Sequence, residues 1–70
     1  MALEKLGENL RQLREAKGLA PGLLAERAQV TLSLITILEG GQATGSPSPA
    51  ILQRLARALG VPVSKLTGIS

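Results

Sequence analysis

The sequence predicts an all-α domain, and three observations lead to this prediction. The 70 residues include 14 Leu and 9 Ala but only 4 Ile and 3 Val, which favours helices over strands. Apolar residues recur every three or four positions, the spacing that places them on one helical face. No Phe, Tyr or Trp is present, so the core must be aliphatic. A chain of this length has room for one domain, and we expect residues 1–70 to form it.

The first helix is predicted by an apolar stripe near the N-terminus. Lys17 and Gly18 should end this helix, because a cation followed by a residue that readily adopts the left-handed conformation is typical of a helix C-terminus. The residues expected on its buried face are Leu3, Leu6, Leu10, Leu13 and Ala16.

Two short helices joined by a tight turn should follow. A helix is expected over residues 21–28, because Pro21 fits comfortably only in a first helical turn. Thr31 is a good N-cap for a third helix over residues 31–39, which should stop at Gly40. Two short helices with this connection indicate a helix-turn-helix.

The C-terminal third predicts a loop, a fourth helix and a final turn. The segment GQATGSPSP is rich in Gly, Ser and Pro and should be a loop. Ser48 and Pro49 form a strong helix start, and Gly60 should end that helix. A last helical turn is expected over residues 62–66, and residues 67–70 should be loose.

Composition argues against several classes of function. The chain has no Cys, His or Asp, so disulfides, thiolate or imidazole metal sites and histidine acid-base chemistry are excluded. Its five Glu are scattered, so we expect neither an enzyme nor a cofactor. Apolar runs are short, and the pattern around Glu4 and Lys5 is unlike a signal peptide, so a cytoplasmic protein without a membrane partner is expected.

The charge distribution mildly favours a polyanionic partner. The net charge is +3, and residues 1–40 are balanced, so the excess comes from Arg54, Arg57 and Lys65. Arg54 and Arg57 lie three positions apart on one face of the fourth helix. They could form a solvated basic face, or they could contact a DNA backbone or an acidic partner.

An ordered set of segments carries a family resemblance. LGENLRQLREAKGL is followed by LAERAQVTLS, ILEGG, PS and LQRLARALGV. Between Leu3 and Leu66 the chain resembles the phage-repressor and Cro-type helix-turn-helix family, also called the xenobiotic-response-element family. The resemblance implies a compact five-helix, lambda-repressor-like bundle. It also implies a homodimer that binds double-stranded operator DNA with its third helix in the major groove.

The resemblance also implies roles for individual residues. Arg14 and Glu39 match a pair that forms a partly buried salt bridge in many members, although both could instead be solvated surface charges. Contacts between two copies could use Val61, Val63 and Leu66, in the region after the fourth helix. The residues expected to meet bases or phosphates are Thr31, Leu32, Ser33, Thr36, Ile37 and Gln42.

The chain departs from the family pattern on its reading surface. Leu32 and Ile37 occupy positions where relatives often carry Arg, Gln, Lys or Asn, and Pro21 replaces a Gln that usually contacts a phosphate. Leu32 and Ile37 could touch thymine methyl groups, or they could form an apolar patch with Leu23 that binds a protein. Two functions therefore stay open: a DNA-binding transcriptional regulator, or a protein-interaction module on the same fold.

Overall fold

The computed structural model describes residues 5–41 and 47–68. Within these ranges all regular structure is helical, which confirms the predicted fold class. The predicted bounds of the second helix match the structure, and the last helix runs slightly beyond the predicted turn. The five helices are α1 (Leu6–Ala16), α2 (Pro21–Ala28), α3 (Leu32–Glu39), α4 (Pro49–Leu59) and α5 (Val63–Thr67).

The helices pack around one aliphatic core. α3 packs against α1 and α2, α4 packs against α2, and α5 packs against α1 and α4. The core therefore takes one stripe from every helix, which is how short amphipathic helices bury enough apolar surface to fold. The largest fully buried side chains are Leu10, Leu24, Ile35, Leu55, Leu59 and Leu66.

The buried face of α1 differs from the predicted stripe. Ala16 is exposed, whereas Gly7 and Arg14 are buried, and Leu3 lies outside the described residues. The buried face therefore includes Gly7 and Arg14, both of which meet α3. The expectation for Ala16 was wrong because apolar spacing alone does not reveal which flank of the stripe a neighbouring helix covers.

Local chemistry fixes the helix ends. Thr31 caps α3, its hydroxyl oxygen accepting a hydrogen bond of 3.1 Å from the Leu34 N–H, and Ser48 caps α4 in the same way. α2 begins at Pro21 without a side-chain cap, as the sequence indicates. Gln29 ends α2 in the left-handed conformation, with φ 59°. The turn into α3 therefore holds a non-glycine residue in a conformation that favours glycine.

Candidate nucleic-acid interface

Arg14 and Glu39 hold the C-terminal end of α3 against α1. The Arg14 Nε donates to Glu39 Oε2 at 2.7 Å, and its Nη2 donates to Glu39 Oε1 at 2.9 Å. These two parallel bonds give the side-on geometry in which a guanidinium grips both oxygens of a carboxylate. The side chains are only 10% and 12% exposed, so the ion pair expected from the family resemblance is present and largely shielded from water.

The same guanidinium also holds the connection between α1 and α2. Arg14 Nη1 donates to the Leu19 carbonyl oxygen at 2.8 Å. The Glu39 hydrogen bonds raise the pKa of Arg14, burial opposes that shift, and the charges of Glu39 and Glu15 reinforce it. Arg14 therefore stays charged. The Leu19 contact could not be predicted from the sequence, since a backbone acceptor has no residue-type signature.

Gly7 sets the distance between α1 and α3. A Cβ at this position would collide with the Leu38 carbonyl group and lie 3.1 Å from the Glu39 Cα. Only glycine leaves room for so close an approach of two helix backbones, so Gly7 places the last turn of α3 directly on α1. The packing role of this residue was not predicted from the sequence, because a glycine inside a helix does not reveal which element packs on it.

The exposed face of α3 has a definite order of side chains. Successive helical residues are about 100° apart around the axis, so the outward face reads Leu32, Thr36, Ser33, Ile37 from one edge to the other. All four are exposed. Ile35 and Leu38 are buried on the opposite side, and the partly buried Leu34 packs beside them. Two hydroxyl residues thus occupy the middle of the exposed face, with an aliphatic residue at each edge.

The hydroxyl groups of α3 and of its N-cap differ in the hydrogen bonds that they can still form. The Thr36 hydroxyl donates to the Leu32 carbonyl oxygen at 3.1 Å, which leaves its lone pairs available as acceptors. The Thr31 hydroxyl oxygen accepts the cap hydrogen bond, so its hydrogen remains available for donation. Ser33 has no side-chain hydrogen bond to the described part of the chain and can donate or accept.

Positive charge lies outside α3. The single charged residue of α3 is Glu39, which Arg14 neutralises. Arg27, Arg54 and Arg57 line one cleft of about 310 Å³ between the end of α2 and the outer face of α4. None of these three arginines forms an ion pair with a residue in 5–41 or 47–68. Two residues of the basic surplus noted in the sequence, Arg54 and Arg57, therefore lie together with Arg27 at this cleft.

The remaining predicted site residues are placed as follows. Val61 and Val63 are half-buried and line a second cleft, of about 390 Å³, at the junction of α4 and α5. Leu66 is fully buried, so its predicted contact with a second copy is corrected: packing of α5 on α1 and α4 places it in the core. Gln42 lies outside the described residues.

Family comparison identifies the arrangement. The model of a helix-turn-helix domain family matches residues 5–67, which include all five described helices. The chain belongs to this helix-turn-helix family. The described helices of this domain include none long and apolar enough to cross a membrane.

Two relatives and one solved structure resemble this helix-turn-helix domain. It is 39% identical over 64 residues to the HTH-type transcriptional repressor RghR of Bacillus subtilis, and 34% identical to the HTH-type transcriptional regulator RghRB of the same organism. The match covers 91% of this chain but only 47% and 45% of those proteins, so the chain spans about half their length. The restriction-modification controller protein C.AhdI from Aeromonas hydrophila superposes with a TM-score of 0.83 at 36% identity, covering 91% of this chain and 94% of that one.

Proposed function

We propose that this domain is a sequence-specific DNA-binding transcriptional regulator of the repressor type, with α3 in the major groove. The observation that carries the proposal is the exposed face of α3, whose four side chains project from a helix fixed at both ends. Thr31 caps its start, and Glu39 is bound to Arg14 at its end. Such rigid support is what base reading requires, because the reading groups must be held in register with the base edges.

Backbone contacts must come from elsewhere on the domain. α3 has no free cation, and phosphate neutralisation supplies most of the non-specific affinity for DNA. Within the described residues, the unpaired cations include Arg27, Arg54 and Arg57, whose shared cleft makes them candidates for a phosphate or for an acidic partner. As a DNA-binding regulator, the chain would act in the cytoplasm, where it would meet DNA.

The proposal includes a homodimer on a two-fold symmetric operator. Val61 and Val63 leave apolar surface partly exposed beside Pro62, at the junction of α4 and α5. A dimer that binds such an operator holds its two α3 helices about 34 Å apart, on successive major grooves. This separation predicts palindromic half-sites one helical turn apart.

Selection from random-sequence duplexes with the 70-residue chain tests both parts of this proposal. We expect a selected palindrome, and we expect Val63→Glu to reduce the dimer in sedimentation and weaken binding to the full palindrome more than to a half-site. Ala16→Glu is the matched control, because it adds the same charge at an exposed position on α1. A pool without sequence enrichment contradicts the DNA-reading proposal, and a non-symmetric site bound by a monomer contradicts the dimer.

One observation favours a second candidate function, a protein-interaction module. Leu23, Leu32 and Ile37 are 38%, 52% and 41% exposed, and large exposed apolar side chains tend to mark interfaces. A polarisation titration with genomic DNA fragments at two salt concentrations separates the candidates. Absence of binding even at low salt favours the interaction module, whereas sequence-dependent binding that weakens with salt favours the regulator.

A further inference from the structure

We propose that α3 reads A·T base pairs by placing Leu32 and Ile37 against the C5 methyl groups of thymines on opposite strands. The inference rests on the proposed function, because it names the DNA that the same surface would select. It is carried by the order of side chains around α3 and by the hydrogen bonds that two of them already make.

Leu32 and Ile37 are the least polar groups on the exposed face of α3. They are 52% and 41% exposed, and neither side chain can form a hydrogen bond. If α3 enters the major groove, both lose contact with water. Phosphates and polar base edges would offer these side chains nothing in return, whereas the thymine methyl is an apolar group that the groove itself presents.

The order of groups on α3 matches the order across A·T pairs. The major-groove edge of such a pair presents adenine N7, the adenine N6 amino group, thymine O4 and then the thymine methyl. Two A·T pairs of opposite orientation therefore place one thymine methyl at each side of the groove, with the polar groups of the bases between the two methyls. On α3, Thr36 and Ser33 occupy the middle and Leu32 and Ile37 the edges.

The hydroxyl groups fit the same base pairs. Thr36 donates its proton to the Leu32 carbonyl oxygen, so it can accept a hydrogen bond from an adenine N6 amino group. Ser33 can donate to thymine O4. A G·C pair lacks the methyl, and guanine O6 and N7 are best read by paired donors from Arg or Lys, which this face of α3 does not carry.

Replacing thymine with deoxyuridine tests the inference directly, because uracil differs from thymine only by the missing methyl. The unaltered 70-residue chain is titrated against its selected site with each thymine replaced in turn. We expect at least one sensitive thymine on each strand of a half-site, with affinity lowered about fourfold per methyl, the loss that corresponds to one methyl-sized group removed from an apolar contact. Other thymines should tolerate the replacement.

Two variants then assign each methyl to its side chain. Within one half-site, Leu32→Ala should abolish the sensitivity to uracil on one strand, and Ile37→Ala should abolish it on the other. Leu23→Ala is the matched control, since it shortens an exposed leucine on α2 and should leave both sensitivities intact. Melting curves verify that the variants remain folded.

The outcomes separate this inference from the function on which it rests. Full affinity for a site in which every thymine is replaced by uracil contradicts methyl reading and leaves the DNA-binding regulator standing. Selection of G·C pairs where α3 contacts the site also contradicts the inference. Failure to bind any duplex at low salt contradicts both proposals.

Discussion

Arg14 and Glu39, 25 positions apart in the sequence, are joined by two hydrogen bonds that fix the end of α3 to α1. Because Arg14 also binds the Leu19 carbonyl oxygen, one guanidinium holds α1, the connection to α2 and α3 together. The direction in which the exposed face of α3 points depends on this contact. Its removal should therefore affect stability first and binding as a consequence.

We expect Glu39→Ala to lower the free energy of unfolding by about 3 kcal/mol, because it leaves the buried Arg14 cation without its carboxylate. Urea unfolding measures this loss. Glu15→Ala is the matched control: Glu15 lies 3.9 Å from the same guanidinium but is 62% exposed, so its removal should change stability by less than about 1 kcal/mol. Equal, small losses in the two variants would show that the pair with Glu39 is only a surface contact.

Gly7→Ala should destabilise the domain by about 2 kcal/mol, because the new Cβ would meet the Leu38 carbonyl group and force α1 and α3 apart. The same substitution at Gly22 adds a Cβ where nothing lies within 4 Å, and alanine is the better helix former, so Gly22→Ala should raise stability by about 0.5 kcal/mol. Thermal melts compare the two. A stable Gly7→Ala variant would contradict the close approach of the helices.

Gln29→Gly should stabilise the domain by about 0.5 to 1 kcal/mol, since Gln29 adopts φ 59° and glycine reaches this region without a steric penalty. Gln53 supplies the control. It lies exposed within α4, where the same replacement should cost about 1 kcal/mol through lost helix propensity. Destabilisation by Gln29→Gly would mean that the glutamine side chain stabilises the turn more than its backbone strain opposes it.

Ile37→Arg should strengthen DNA binding without lowering stability, because Ile37 is 41% exposed and the new side chain adds a cation to α3. The preferred base should change from thymine to guanine where Ile37 makes its contact, since Arg pairs with guanine O6 and N7. The measurement compares affinities for two sites that differ only in carrying thymine or guanine at this position. Ala16→Arg is the control for added charge alone. A large loss of stability would instead show that Ile37 belongs to the core.

The starts of α2, α3 and α4 could be predicted because each depends on local chemistry. Pro21 fixes its own φ angle, and the hydroxyls of Thr31 and Ser48 cap the N–H groups three positions later. The burial of Ile35 and Leu38 on one side of α3 agrees with helical periodicity, because residues three positions apart share a face. The spacing of residues along one helix carries this information, so no knowledge of neighbouring helices was required.

Features that depend on contacts between helices could not be predicted from the sequence. Ala16 was expected on the buried face of α1 and is exposed, whereas Gly7 is buried, because α3 packs on one flank of α1, a direction that spacing does not encode. Leu66 was expected at a surface between copies and lies in the core, since the orientation of α5 follows from its packing on α1 and α4. The Arg14 and Glu39 pair was expected from the family resemblance, whereas its third partner, the Leu19 carbonyl, was not.

The central claim is that α3 reads DNA, and the most direct test is the affinity of the chain for its selected site and for a scrambled duplex, each at about 50 and about 200 mM salt. We predict tighter binding to the selected site at both concentrations, with parallel losses as salt rises, because base contacts set the difference and phosphate contacts set the slope. Equal affinity for the two duplexes, or no binding to either at the lower salt, would contradict the account.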